Sequence, residues 1–296
     1  MNFRRIKQVC EYGWKDAQVL CKEEGINKGK WSIFMDILYC FFKYNVWSNQ
    51  YKKEKLHLVS DEQKKEVCLK YQEKNNFRDK WVKEFFENYK FLNKWSSFKY
   101  EQSADLQAKR YAAYKKQYGL GENCFIGHDV LLVRHHYLEG TISVGNNVLL
   151  AKHVFIDYSG ELIIHDNVSI ANGVIIETHT HHIERGRGGG AIQSRLEIGE
   201  GVKILTRSYI ADTCHSIGRY ARIGAGTYVR SNIPPYAIVL GNPAKIIGFL
   251  YSPEEMVEFE RDKYPESERT SLEQYTLWYE KYFRSRSKEI KSFIKL

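Results

Sequence analysis

The chain has 296 residues, 43% hydrophobic and 14% aromatic, with 45 Lys and Arg against 36 Asp and Glu for a formal charge of +9. That composition excludes a disordered chain, which lacks the apolar surface to offset its conformational entropy, and it allows one large domain or two smaller ones. The cations are interspersed with acids and accompany no RNA- or DNA-binding signature, so they fit a solvated surface and an anionic small ligand rather than a nucleic acid.

Residues 1–118 read as helices. No secretion signal is expected, because Met1 to Ile6 leads into charged sequence rather than a long apolar core. The six cysteines (10, 21, 40, 68, 124 and 214) lack paired metal spacing and predict reduced thiols in a cytoplasmic protein. The most apolar run, Trp31 to Trp47, is broken by Asp36 and Lys43 and falls short of the about twenty clean residues of a spanning helix. A core helix is expected there, with peripheral contact to a membrane face as the alternative. Ser60 and Gln63 form a capping box, each able to satisfy the other's free backbone N–H. From Phe77, the residues Trp81, Phe85, Tyr89 and Leu92 recur on one helical face, which predicts packing in a core. A further helix should start at Ser103 and stop at Gly119, where glycine can take the left-handed conformation that ends helices.

From Val144 to Val229 the period changes to six. Val144, Leu150, Ile156, Ile164, Ile170, Ile176, Ile198, Ile204, Ile210, Ile217, Ile223 and Val229 are all aliphatic. Four residues after most of them stands a second inward-sized side chain (Val148, Val154, Val168, Val174, Val202, Ser208, Cys214, Ala221, Thr227), and the next residue is often small. The register needs two extra residues before Ile164, sixteen before Ile198 and one before Ile217. No helix has this period; it belongs to a parallel β-helix, in which three short strands make one coil and each coil lends its backbone edges to the next. The column begins near Phe125-Ile126-Gly127, and Leu131 to Thr141 is out of register, as a looped first coil. His128, His135 and His136 lie there, but adjacent histidines rarely face one ion and no second cluster has suitable spacing, so no metal is expected.

Beyond the column, Ser252-Pro253-Glu254-Glu255 is a strong helix start, with Ser as cap and Pro at the first helical position. Pro265 should end that helix. A last helix carries Tyr275, Trp278, Tyr279 and Tyr282 on one face, expected to pack on the N-terminal helices or a neighbouring subunit.

Two further runs accompany the hexads. Thr178-His179-Thr180-His181-His182 follows Ile176 and opens the longest interruption; Ile223-Gly224-Ala225-Gly226 leads through Ile233-Pro234-Pro235-Tyr236 to Gly241-Asn242-Pro243-Ala244-Lys245. With them, residues 119–249 resemble the hexapeptide-repeat acyltransferases, in particular the branch that acetylates sugars and related hydroxyl acceptors. The resemblance implies a mainly β protein, with a left-handed parallel β-helix over residues 119–249, an α-helical domain over 1–118 and a helical tail over 250–296. The left hand rests on the resemblance, since parallel crossovers usually run right-handed. It also implies acetyl-CoA as co-substrate, a homotrimer with each site between two subunits, and an acceptor among sugars or glycan precursors in polysaccharide assembly.

Acyl transfer to a hydroxyl needs a base, and histidine suits the task because its pKa of about 6.5 leaves a neutral fraction near pH 7. His179, three residues past the inward Ile176, leaves the column at a corner; the family's histidine at this point is the base. His181 and His182 are rivals. One coil below, Asp157 lies under Glu177 and Ser159 under His179, so Asp157 or Glu177 could orient the imidazole or hold the sugar. His153, one face back, is a weaker acceptor-site candidate. The loop from His181 to Leu196 carries Arg185-Gly186-Arg187 and reads as a flexible lid, from which Arg185 or Arg187 could touch an anionic substrate or the carrier's phosphates. The resemblance runs the pantetheine arm past Thr206 and Ala225. Arg230 and Ser231 stand where the family commonly has a Thr-Lys pair, and Lys245 is the other cation near that end. Leu205 replaces a frequent glycine.

Three other readings are weaker. A serine acetyltransferase also has a helical domain before such a column, but its histidine-proline pairs are missing. A γ-carbonic-anhydrase-like zinc enzyme needs a His-x4-His pair, and His153 is followed five later by Tyr158. A non-catalytic assembly subunit would tolerate replacement of His179.

Overall fold

The structure, a computed structural model, describes residues 3–23, 29–135, 137–182 and 190–294 and falls into two units, Met1–Phe86 and Glu87–Leu296. In the second unit the six-residue period becomes a three-sided column. The first coil contributes β1 (Phe125–Ile126) and β2 (Leu131–Val133), the second β3 (Thr141–Val144), β4 (Leu149–Leu150) and β5 (Phe155–Asp157), and the third β6 (Glu161–Ile164), β7 (Ser169–Ile170) and β8 (Ile175–Ile176). After an excursion formed by β9 (His179–His181) and β10 (Ala191–Gln193), the fourth coil holds β11 (Arg195–Ile198), β12 (Lys203–Ile204) and β13 (Tyr209–Ile210). The fifth holds β14 (Ser216–Ile217), β15 (Arg222–Ile223) and β16 (Tyr228–Val229), before the hairpin β17 (Ala237–Leu240) and β18 (Lys245–Phe249).

The strands stack as three parallel sheets, β1-β4-β7-β12-β15-β17, β2-β5-β8-β13-β16 and β3-β6-β11-β14, with β18 closing the first antiparallel. The fold is a three-sided parallel β-helix. Its register sets like on like: Val144 on Ile164 on Ile198 on Ile217, and Leu132 on Ile156 on Ile176 on Ile210 on Val229. All twelve hexad aliphatics are at most 4% exposed, and the nine secondary positions are buried with them. Each large aliphatic so placed contributes about 1.5–3 kcal/mol relative to exposure.

A column of strands has two open ends, each a template for unwanted pairing. The first is covered by α5 (Ala104–Tyr118) and the end of α4 (Asp61–Trp95). Their side chains take the carbonyls that the first coil leaves without a strand: Tyr111 donates to Gly121 (2.8 Å), Arg110 to Ile126 (3.0 Å), Tyr114 to Val130 (2.7 Å) and Asn88 to Leu132 (3.0 Å). Burial lowers the pKa of Arg110. As expected, Ser103 caps α5 and Gly119 ends it in the left-handed region. The other end is covered by β18, α6 (Pro253–Lys263) and α7 (Leu272–Tyr282), where Tyr236, Met256 and Tyr275 are buried together. Buried Glu260 ties this end, accepting from Tyr275 (2.6 Å), Tyr236 (3.1 Å) and the Thr270 N–H (2.8 Å). Ser252 and Glu255 cap α6 reciprocally, as their spacing predicts. The aromatic face of α7 thus meets its own column end and α6, a correction to its expected place on the N-terminal helices. α8 (Ser287–Ile294) follows.

In the first unit α1 (Phe3–Glu23), α2 (Lys30–Tyr44) and α3 (Ser48–Lys53) pack around Ala17, Leu20, Ile33, Ile37, Tyr51 and Leu56. The Ser60–Gln63 capping box is present. The Phe77–Leu92 stripe is corrected: Leu92 is buried, but Phe77 and Tyr89 are exposed, and the rings packed against the column are Phe91 and Trp95. A chain this aromatic has more rings than core positions, so a periodic stripe does not by itself name the covered face. Among the described residues no disulfide joins the cysteines, and no described helix is long and apolar enough to cross a membrane.

Candidate active site

The site forms where the third coil fails to close directly onto the fourth. β5 stacks under β8 with Ile156 on Ile176, which puts Asp157 beneath Glu177. The Glu177 N–H still donates to Ile210 of the fourth coil (3.0 Å), holding register to the last residue before the break. Thr178 is buried; its hydroxyl donates to the Asp157 carbonyl (2.9 Å) and accepts from the Gly160 N–H (2.8 Å). The chain then departs as β9, pairs antiparallel with β10, and returns through a Ser194 N–H to Thr178 carbonyl bond of 2.9 Å. Gly160 lies under this junction. A Cβ there would stand 1.9 Å from the Ser194 oxygen and 2.6 Å from that of Thr178, so only glycine fits.

This corner fixes a carboxylate against an imidazole. Asp157 is 1% exposed, and one of its oxygens meets Nδ1 of His179, itself 12% exposed. The other oxygen accepts from the Ser159 N–H (2.9 Å) and from the Ser159 hydroxyl. That hydroxyl accepts in turn from the His135 N–H (2.7 Å), and Gln193 of β10 donates to the Ser159 carbonyl (2.7 Å). With both Asp157 oxygens held, Nδ1 of His179 is the donor and the neutral ring keeps its lone pair on Nε2, a tautomer assigned from the partner.

Two more imidazoles surround it. The His135 ring centre is 6.0 Å away and that of the exposed His181 is 5.4 Å away. Burial holds His135 below the ordinary histidine pKa against the opposing charge of Asp157, which favours its neutral form. On the far side Glu177 accepts from the Tyr209 hydroxyl, whose ring lies 5.2 Å from that of Tyr228. Burial, then the bond to Glu177, raises the Tyr209 pKa. An oriented neutral imidazole backed by a buried carboxylate is suited to general-base work.

Of the residues expected from sequence, Asp157, His179, His181 and Glu177 come together. His153 does not: it lies on the corner between β4 and β5, 3.2 Å from Asp129, with its ring 4.7 Å from that of His128. Among the described residues His128, Asp129 and His153 are the group close enough to share a cation. His128 already stands 3.0 Å from Glu101, whose pKa is about 2: burial raises it, and contacts with His128 and Lys152 override that. Arg185 lies outside the described residues. Sequence reasoning did not assign His135, Gln193 or Tyr209 to this site. His135 and Gln193 fall in segments that break the hexad count, while Tyr209, just before the inward Ile210, gave only an outward-facing ring as signal.

Farther along the column Thr206 and Ala225 are exposed on successive coils, joined by a Gly226 N–H to Thr206 carbonyl bond of 2.9 Å. Arg230, Ser231 and Lys245 line one cavity of about 540 Å³, with Thr213, His215 and Arg286. Glu289 bridges two of its cations, 3.1 Å from Lys245 and 3.0 Å from Arg286.

Column and hexads together define a hexapeptide-repeat β-helix with a histidine at its longest interruption. Over part of its length the chain is similar to acetyltransferases built on such repeats. No family model matches it. It is 32% identical over 105 residues to a serine acetyltransferase of Buchnera aphidicola subsp. Schizaphis graminum, covering 36% of this chain and 37% of that one. Over 34 residues it is 53% identical to the dTDP-3-amino-3,6-dideoxy-alpha-D-galactopyranose 3-N-acetyltransferase of Aneurinibacillus thermoaerophilus, covering 12% and 18% of the two chains. Among solved structures it is similar to a hexapeptide-repeat acetyltransferase of Vibrio cholerae O1 biovar eltor complexed with acetyl coenzyme A. That similarity is 22% identity and a TM-score of 0.41, over 57% of this chain and 90% of that one. The chain thus spans about a third of the length of the first of these relatives.

Proposed function

We propose that the protein is an acetyl-CoA-dependent O-acetyltransferase acting on a sugar or glycan-precursor hydroxyl, with His179 as general base. The observation that carries this reading is the buried Asp157 carboxylate on Nδ1 of His179, which leaves Nε2 to accept a proton. As Nε2 takes the acceptor's proton, the oxygen attacks the thioester carbonyl and Asp157 stabilises the imidazolium that forms. Collapse of the tetrahedral adduct breaks the C–S bond; the proton passes from Nε2 to the departing sulfur, giving acetyl ester and free thiol. The pantetheine arm runs past Thr206 and Ala225, and the carrier's phosphates meet Arg230, Ser231 and Lys245. Glu177 and His181 face the acceptor. The enzyme works as a homotrimer in the cytoplasm, each site lying between two subunits.

The short match to an amino-sugar-nucleotide acetyltransferase supports a sugar acceptor. The longer match to serine acetyltransferases supports serine as a second reading. Thiol release from acetyl-CoA against sugars, nucleotide sugars and serine separates the two. His179→Ala should lower turnover by about 10²–10⁴, with coenzyme A affinity by calorimetry little changed. Near-normal turnover would move the base elsewhere.

A further inference from the structure

Both faces of α2 are apolar, and only one is covered. Ile33, Phe34, Ile37, Cys40, Phe41 and Tyr44 are buried. On the opposite side Trp31, Met35, Tyr39 and Phe42 are 64%, 48%, 50% and 50% exposed. Spaced four, four and three residues apart, they form one stripe along the helix. The core expected for this run is therefore half the finding. The fold of the first unit does not use the other face, and a row of large exposed apolar side chains marks a place of interaction.

The exposed charges of α2 itself have one sign. Asp36, the one acid of α2, is engaged by the Tyr51 hydroxyl and by Lys64 at 2.8 Å. Lys30 and Lys43 are exposed, and Lys43 reaches the Tyr39 hydroxyl at 2.6 Å with its ammonium 5.0 Å from the ring centre. Residues 1–86 hold eighteen Lys and Arg against twelve Asp and Glu, so under a third of the chain carries six of its nine excess positive charges. Trp and Tyr rings and long-stemmed lysines are the side chains that settle at the boundary between headgroups and acyl chains.

We propose that α2 docks the protein on an anionic lipid surface. It lies in the plane of the interface, Trp31, Met35, Tyr39 and Phe42 entering the acyl boundary and Lys30 and Lys43 meeting the headgroups. Its fifteen residues extend only about 22 Å, short of the about 30 Å of a bilayer core, so it lies on the membrane rather than through it. A second copy of the chain fits the stripe less well. A twofold pairing would bring Lys30 and Lys43 against like charges, with no free acid on the stripe to answer them.

The test does not depend on acetyl transfer. The full chain is sedimented with sucrose-loaded vesicles of phosphatidylcholine, with and without phosphatidylglycerol. Binding is expected to the anionic vesicles and should weaken with added salt. Trp31→Ser with Phe42→Ser should lower the partition coefficient about tenfold or more, with circular dichroism and molar mass by light scattering unchanged. Lys30→Glu with Lys43→Glu should also weaken binding to anionic vesicles; both lysines are exposed, so this pair serves if the aromatic variant does not fold. The proposal is overturned if the wild type ignores anionic vesicles or if a folded variant pair binds them as well as wild type does. A fall in molar mass in the Trp31 and Phe42 variant also overturns it, since the stripe would then be a contact between copies.

Discussion

Replacing Asp157 by Asn tests the proposed base through its tautomer rather than its presence. Asn keeps the shape of Asp but has one acceptor and one donor end. The end facing Ser159 receives two donors, the backbone N–H at 2.9 Å and the hydroxyl, so the amide oxygen must turn there. The NH2 group then faces Nδ1 of His179. Nδ1 must accept, the ring proton moves to Nε2, and the atom meant to take the substrate proton already holds one. The same inversion in a Ser-His-Asp triad lowers turnover about 10⁴-fold. A fall of about 10³–10⁴ is therefore expected for Asp157→Asn, or about 4–5.5 kcal/mol of barrier. Asp157→Ala frees the ring to choose its tautomer and should be no worse than Asn, although it removes more atoms. Ser159→Ala deletes one of the two donors and should weaken the effect of Asn in the double variant. The assay is thiol release at saturating acetyl-CoA with whichever acceptor supports turnover. The KM for acetyl-CoA should hardly move, because Asp157 does not lie on the carrier's proposed path. An Asn variant within tenfold of wild type would refute the assignment of Nε2 as the base.

Three further outcomes test other parts of the molecule. Arg230→Ala with Lys245→Ala should raise the KM for acetyl-CoA by about tenfold or more, the worth of two charge-assisted phosphate contacts, with kcat little changed; an unchanged KM would remove this cavity from the carrier's path. Glu101→Gln should destabilise at pH 7 by on the order of 3 kcal/mol, because the native pKa lies at about 2, below the ordinary carboxylate value of 4.5. A lowered native pKa gives stability that is full above the ordinary value and is lost as pH falls toward 2, so urea midpoints of variant and wild type should converge in acid. Gly160→Ala drives a Cβ into the carbonyls of Ser194 and Thr178, and should reduce turnover and coil stability together; a variant unaffected in both would mean the junction is not tightly packed.

How far the chain can be read without coordinates depends on whether register survives. The hexads give the twelve anchors and nine secondary positions correctly, but not Ile126, Val130, Leu132, Leu162 and Leu196, which are also buried in the column where the count is broken. Asp157 beneath Glu177 follows from counting alone. Caps are also legible, since Ser60, Ser103 and Ser252 act within three residues of themselves. Long-range packing is not. Nothing local tells Tyr89 from Phe91, yet the first is exposed and the second packs on the column. His135 and Gln193 sit in stretches without a period, so their approach to His179 and Ser159 had no count to predict it. His153 does have a register, and that register leads it to another corner.

The excursion between β8 and β11 is what turns a structural repeat into a candidate site. A strict coil puts every inward residue in the core and every outward one in solvent, and neither place perturbs an imidazole. By leaving at Thr178 and returning at Ser194, the chain lifts His179 off the column while Asp157 and Ser159 of the coil below stay fixed. The carboxylate is thereby as buried as a core residue, and its partner is only partly so. That asymmetry is what the proposed base requires: a fixed carboxylate and a partly accessible ring. Asp157 is held by the Ser159 N–H and hydroxyl and by Nδ1 of His179, all fixed by the coil and the corner it meets. Rigidity is supplied by the repeat and access by its interruption. Changes at the exposed His181 and Ile192 are therefore expected to alter the proposed acceptor preference while leaving the Asp157–His179 pair in place.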